Sequence, residues 1–260
     1  MTQWASWKQA LIGLATLVSF SLFAQETPQS NQSSTLTYIG SDACVDCHQK
    51  ETQAWQGSHH EMAMRHADAQ SVLGDFNDHT FTFNGKPNRF YRKGEEYWVN
   101  IQGPDDEWHD YKISYTFAWD PLQQYMVEFE DGRVQLIPFA WDSRTKQEGG
   151  QRWFHLYPDT TPKDEFYWTN TGQNWNFMCA DCHSTNLEKN YDATANTYST
   201  TWSEINVGCE ACHGPASEHV ELAKQAEKSG NTIASANHYG FDRDLGCLLY
   251  TSPSPRDRYI

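Results

Sequence analysis

Asn174-Trp175-Asn176-Phe177-Met178-Cys179-Ala180-Asp181-Cys182-His183, followed about one helix pair later by Cys209-Glu210-Ala211-Cys212-His213-Gly214-Pro215-Ala216-Ser217-Glu218-His219, is the stretch from which the rest of the chain is read. Each half holds Cys-x-x-Cys-His, and a third copy, Cys44-Val45-Asp46-Cys47-His48, stands near the amino end. Two thiols three residues apart lie on one local turn, where they can add to the two vinyl groups on one edge of a porphyrin. The His that follows is then held under the iron as its proximal axial ligand. The pentapeptide is the attachment signature of a c-type haem, and three copies predict three covalently bound haem c groups.

The sharpest alternative is zinc, because Cys179, Cys182, Cys209 and Cys212 could form a four-thiolate site. That reading leaves Cys44 and Cys47 without partners and gives no reason for a His after every pair. Disulfides also ignore the histidines. The expected attachment residues are therefore Cys44, Cys47, Cys179, Cys182, Cys209 and Cys212, with His48, His183 and His213 as proximal ligands.

The chain has 260 residues, a formal charge of −15 and eleven Trp, and its mean hydropathy is low. Haem propionates would add negative charge, and an acidic surface disfavours nucleic acid and anionic lipid. Abundant aromatic side chains suit a core that is partly porphyrin, or a Trp-rich β-domain. Residues 1–24 read as an export signal: Lys8 lies in a short polar region, and Ala10 to Ala24 is apolar and ends in small residues. The run is short for a bilayer span, with an uncleaved anchor as the alternative. Covalent haem attachment agrees with export, and the expected location is periplasmic.

At the other end, Cys247 to Asp257 can be back-translated as a transposon adapter used in sequencing libraries. The expectation is that 247–260 is an artefact, that the natural reading frame continues differently beyond about Gly246, and that Cys247 is no residue of the natural protein. Between the ends, 25–37 reads as a disordered lead-in and 38–75 as the first haem segment. The second and third haem motifs fall in 146–246. Gln49 to Gln56 looks helical, and Gly57 breaks it. Ser58-His59-His60-Glu61 has the form of a capping box and predicts a second helix through His66, with His60 and Met64 on one face. From His79 to about Ala140 the period becomes alternating, with Asn84-Gly85 and Asp131-Gly132 as hairpin signals, so an antiparallel β-module is expected over 76–145. Ser217 can cap a final helix to Lys228, with Gly230 just past its end and His219 among small apolar residues on its inward face. The expected fold class is α+β: helical, haem-packed c-type cytochrome segments with an inserted antiparallel β-module.

These residues resemble the multihaem cytochromes c related to the tetrahaem cytochrome of ammonia oxidisers, especially larger exported members with downstream tetratricopeptide repeats. The resemblance rests on Trp55-Gln56-Gly57-Ser58-His59-His60, on Gly149 to Pro158, on Asn174-Trp175-Asn176 before Cys179, and on Cys209 to His219. It implies that His60, in a Ser-x-His, and His219, six residues beyond the third motif's His, are distal iron ligands. It also implies a fourth haem motif and a repeat region beyond the given sequence. Two positions depart from the pattern: Ala216 replaces a usual Gly, and Tyr167 stands where relatives often have His.

Eight histidines remain once the proximal three are set aside from the eleven. Of these His219, His60 and His155 are the candidate sixth ligands, and His59 competes with His60. Met62, Met64 and Met178 match no ligand pattern. The leading functional expectation is a periplasmic electron carrier serving redox partner proteins. The alternatives are a multihaem oxidoreductase with one open iron acting on a small nitrogen or sulfur compound, and a redox scaffold built on downstream repeats. Nothing in the expected β-module resembles a nucleophile or acid–base constellation.

Overall fold

Between His79 and His155 the alternating sequence folds into a sheet whose strands follow one another as antiparallel neighbours. The computed structural model describes residues 36–233 and 238–242. The expected leader, nearly all of the lead-in and the 247–260 tail with Cys247 lie outside the described residues. In chain order the main elements are α1 (Gln49–Trp55), β1 (Met64–His66), β2 (His79–Phe83), β3 (Lys86–Lys93) and β4 (Glu96–Gln102). Then come β5 (Trp108–Phe117), β6 (Leu122–Glu128), β7 (Val134–Asp142), β8 (Arg152–His155), α2 (Trp175–Met178) and α3 (Ala180–His183). A small hairpin of β9 (Tyr191–Asp192) and β10 (Thr197–Tyr198) precedes α4 (Cys209–His213) and α5 (Ser217–Ser229). Among the described residues no helix is long and apolar enough to cross a membrane.

The sheet runs β2 to β8 in sequence order, with β1 added beside β5. It curls into a nearly closed barrel: Phe81 on β2 meets Phe139 on β7, and Phe83 stacks on His155 at the end of β8 with ring centres 4.2 Å apart. Its two faces bury different cores. Phe90, Val99, Ile101, Tyr125, Ile137 and Trp153 fill the inside around Phe76, whose ring makes edge contacts with Phe90, Tyr97, Tyr125 and Trp153. Met64, Tyr115, Met126, Val134 and Leu136 face outward and pack against Trp175 and Ala180. A register shift between Ile113 and Tyr115 lets residues of one parity on β5 serve opposite cores.

Three expectations need correction. Residues 58–66 do not form a helix. The reciprocal contacts of a cap are present, from the Gly57 N–H to Glu61 and from the Glu61 N–H to Ser58. The chain then turns into β1, because β5 pairs with β4 only over Trp108–Lys112 and needs a partner beside Tyr115–Phe117. His60 and Met64 therefore do not share a helix face, and Met64 is buried in the outer core. The sheet also takes in Met64–His66 and Arg152–His155, beyond the expected 76–145. Finally, α5 does run to Ser229 with Gly230 left-handed at its end, but Ser217 is not its cap; that hydroxyl accepts the Thr37 N–H. Among the described residues the helices are mostly single turns, so the helical character expected of the haem segments is slight there.

Both hairpin signals sit in tight turns with demanding glycines. Asn84 and Gly85, both at positive φ, join β2 to β3. Gly132, at φ 80°, lies in the β6–β7 turn, where a Cβ would collide with the Tyr198 carbonyl of β10. Around Gly85 there is open space. Gly132→Ala should therefore cost about 2–5 kcal/mol of unfolding free energy, from backbone strain and overpacking together, and Gly85→Ala only about 1–2 kcal/mol. Denaturant titration of the two variants checks this; equal losses would show that the β10 contact does not constrain the turn.

Candidate haem attachment sites

Each pentapeptide is one tight turn. In the first, the His48 N–H bonds the Cys44 carbonyl at 2.9 Å; in the second, the Cys182 N–H bonds the Cys179 carbonyl at 3.1 Å. The third is the short helix α4. In all three the first cysteine is partly buried and the second exposed, so each pair presents an edge to the surface. Phe177 and Met178, directly before Cys179, and Val45 within the first motif are large apolar side chains left exposed. Paired thiols beside exposed apolar side chains, with an imidazole on the next residue, fit the edge, face and iron of a covalently attached haem.

The first and third motifs are fastened to each other. Glu210, the residue after Cys209, is buried, and its carboxylate accepts N–H bonds from Ile39, Gly40 and Ala216 at 2.7–3.1 Å. Glu204 accepts from the Ser41 N–H and hydroxyl, and the same hydroxyl accepts the Cys209 N–H at 2.9 Å. The Trp55 indole closes the far side on the Val207 carbonyl. As a result the Cys44 and Cys209 thiols hydrogen-bond one another; each is the main influence on the other, Cys209 being drawn down to about 6 and Cys44 pushed up.

The second motif is held by the sheet. Asn174 caps α2 through the Phe177 N–H, and Trp175 is fully buried in the outer core. Asn176 accepts the Val134 N–H and donates to the Gly132 carbonyl and the Thr200 hydroxyl. Asn174-Trp175-Asn176 is thus the fastening of the second motif to β7. His183 is partly buried, with its ring against Phe117 at 4.4 Å, and burial holds its pKa below the ordinary value.

Among the candidate distal ligands, His219 is placed by α5 opposite His48, with ring centres 6.1 Å apart and planes 30° from parallel. Two imidazoles bonded to one metal ion through nitrogens at about 2 Å have ring centres roughly 6 Å apart. His219 Nδ1 lies 2.9 Å from the Tyr239 carbonyl and so is the donor there, which makes Nε2 the nitrogen that could bind a metal. Phe241 stacks on the same ring and also touches His213. Desolvation, with His48 and His219 nearby, pushes the His213 pKa down. His60 lies beside the third motif through its carbonyl, which accepts the Val207 N–H, but its ring is exposed and makes no hydrogen bond or ring contact among the described residues.

His155 stands elsewhere. It lines a cavity of about 310 Å³ at one end of the barrel, with Phe83, Phe139, Tyr167 and Trp168 among the walls and no cysteine. Its Nδ1 accepts the Tyr157 N–H, and burial lowers its pKa to about 4. The structure thus brings His48, His213 and His219 together, leaves His183 against the sheet, and sets His155 apart from every pentapeptide. Glu204, Glu210 and Ser41 are not legible in the sequence as functional residues, because the bonds by which they join the first motif to the third span more than 160 positions.

The family described as cytochrome c554 and c-prime matches residues 43–80 and 157–214, less than half of the chain. No curated protein sequence matches the chain. Among solved structures the outer cell wall cytochrome OcwA is similar, with a TM-score of 0.46 and 19% identity over 74% of this chain; the chain spans 36% of that protein's length. The family match takes in all three Cys-x-x-Cys-His turns and omits most of the sheet, and so supports a multihaem c-type cytochrome.

Proposed function

We propose that the chain is an exported cytochrome that relays electrons in the periplasm through three covalently attached haems. The observation that carries this reading is the fastening of the first motif to the third, which sets His48 and His219 at the separation of two ligands on one ion. Haem c, when bound, supplies one-electron redox chemistry. The chain's own part is to fix the attachment thiols, hold His48, His183 and His213 on the following residues, and aim the Nε2 of His219 by holding its Nδ1 on Tyr239. If His48 and His219 both hold one haem, that group would have no place for a substrate, which favours a carrier over an enzyme.

A second reading has one specific observation behind it. Among the described residues the ring contact of His183 is with Phe117, and no second imidazole faces it as His219 faces His48, so the haem at Cys179 and Cys182 would have an iron position for a small nitrogen or sulfur compound. Redox partner proteins remain the proposed partners, and a downstream repeat region belongs to the same proposal.

Mass spectrometry of protein matured in a cytochrome c-competent host should show three haem additions; none or one would contradict the reading. His219→Ala should keep all three haems and convert one from low to high spin, seen by electron paramagnetic resonance. An unchanged low-spin spectrum would reject His219 as a ligand. Rapid reoxidation of the reduced protein by nitrite, with turnover, would favour the enzyme reading.

A further inference from the structure

The Glu210 carboxylate lies where two haem motifs meet, and among the described residues no basic side chain pairs with it. That carboxylate is buried and meets only N–H donors, those of Ile39, Gly40 and Ala216. Glu204 stands behind it on Ser41, and neither acid has an ion-pair partner among the described residues. The field of both acids reaches the Cys44 sulfur, and that of Glu204 also reaches the Cys209 sulfur. Those are the sulfurs to which the first and third haems would be joined. The second motif is different. Its own acid, Asp181, is 63% exposed and pairs with Lys189 at 2.7 Å, so water and a cation both screen it.

From this asymmetry we propose, on the haem reading above, that Glu210, assisted by Glu204, sets the order of reduction: it lowers the potentials of the haems at the first and third motifs and leaves the second haem to be reduced first. The physics is one of sign. Oxidation of a haem adds a positive charge, and a fixed negative charge in a low-dielectric surrounding stabilises that oxidised form. Buried charge acts more strongly than exposed, paired charge, so the effect is confined to the two motifs that share Glu210. An electron entering the chain then settles at the second motif, where the sheet holds Cys179 and Cys182, and Glu210 acts as a positioning residue that also tunes potential.

The test is a reductive titration of the matured protein, with haem content first read by mass. An unaltered chain without attached haem would overturn the haem reading and this one with it. With three haems present, one should be reduced ahead of the other two. In Glu210→Gln with full loading, the two later potentials should rise while the first stays in place. The reduction equilibrium of each should shift about tenfold, equivalent to ~59 mV for a one-electron couple. A merely structural role would change stability or loading without moving two potentials selectively. If Glu210→Gln loads fewer haems, Glu204→Gln decides: its bonds reach only Ser41, and it should raise the same two potentials by less. Potentials that stay unchanged, or three that move together, would overturn the proposal.

Discussion

One buried carboxylate joins parts of the chain that are some 170 residues apart. Glu210 takes the N–H groups of Ile39 and Gly40 from the amino end and that of Ala216 from just beyond its own motif. Hydrogen bonds to a charged group are worth roughly 1.5–3 kcal/mol each, and the accepting side chain of Glu210 is itself buried. The segment leading into Cys44 is thereby tied to the turn that carries Cys209. Ser41 repeats the connection, linking Glu204 to the Cys209 N–H. The nearness of the two thiols and the facing of His48 and His219 both depend on these ties.

The sheet serves a second purpose. Its inner face closes on itself around Phe76, while its outer face offers Met126, Val134 and Leu136 to Trp175 and Ala180. Asn176 turns that contact into a fixed register by bonding the first N–H of β7. The second motif therefore stands on a β scaffold, and the first and third on each other.

What could be read from the sequence follows physical rules of different reach. The attachment turns are legible because covalent chemistry fixes the spacing of Cys44, Cys47 and His48 and of their counterparts. The strands are legible where burial alternates, as at Tyr97, Val99 and Ile101, and where Asn84-Gly85 supplies a two-residue turn. Residues 58–66 misled because the local signal was real: Glu61 does reach back to Gly57, but the unpaired edge of β5 outweighs the helix. Ser217 misled for a similar reason, its hydroxyl being used by Thr37. The role of Glu210 left no local signal, since an acid between two cysteines gives no hint of three backbone donors elsewhere. His155 reads like a ligand in sequence, yet its place is set by the barrel, where Phe83 and Phe139 enclose it.

The facing of His48 and His219 across the joined first and third motifs is tested most directly by a crystal structure of the matured protein with an anomalous map at the iron edge. The expected result is an iron bonded to both His48 and His219, its porphyrin attached at Cys44 and Cys47. An iron over Cys44 and Cys47 with His219 bound elsewhere, or bound to no iron, would contradict it.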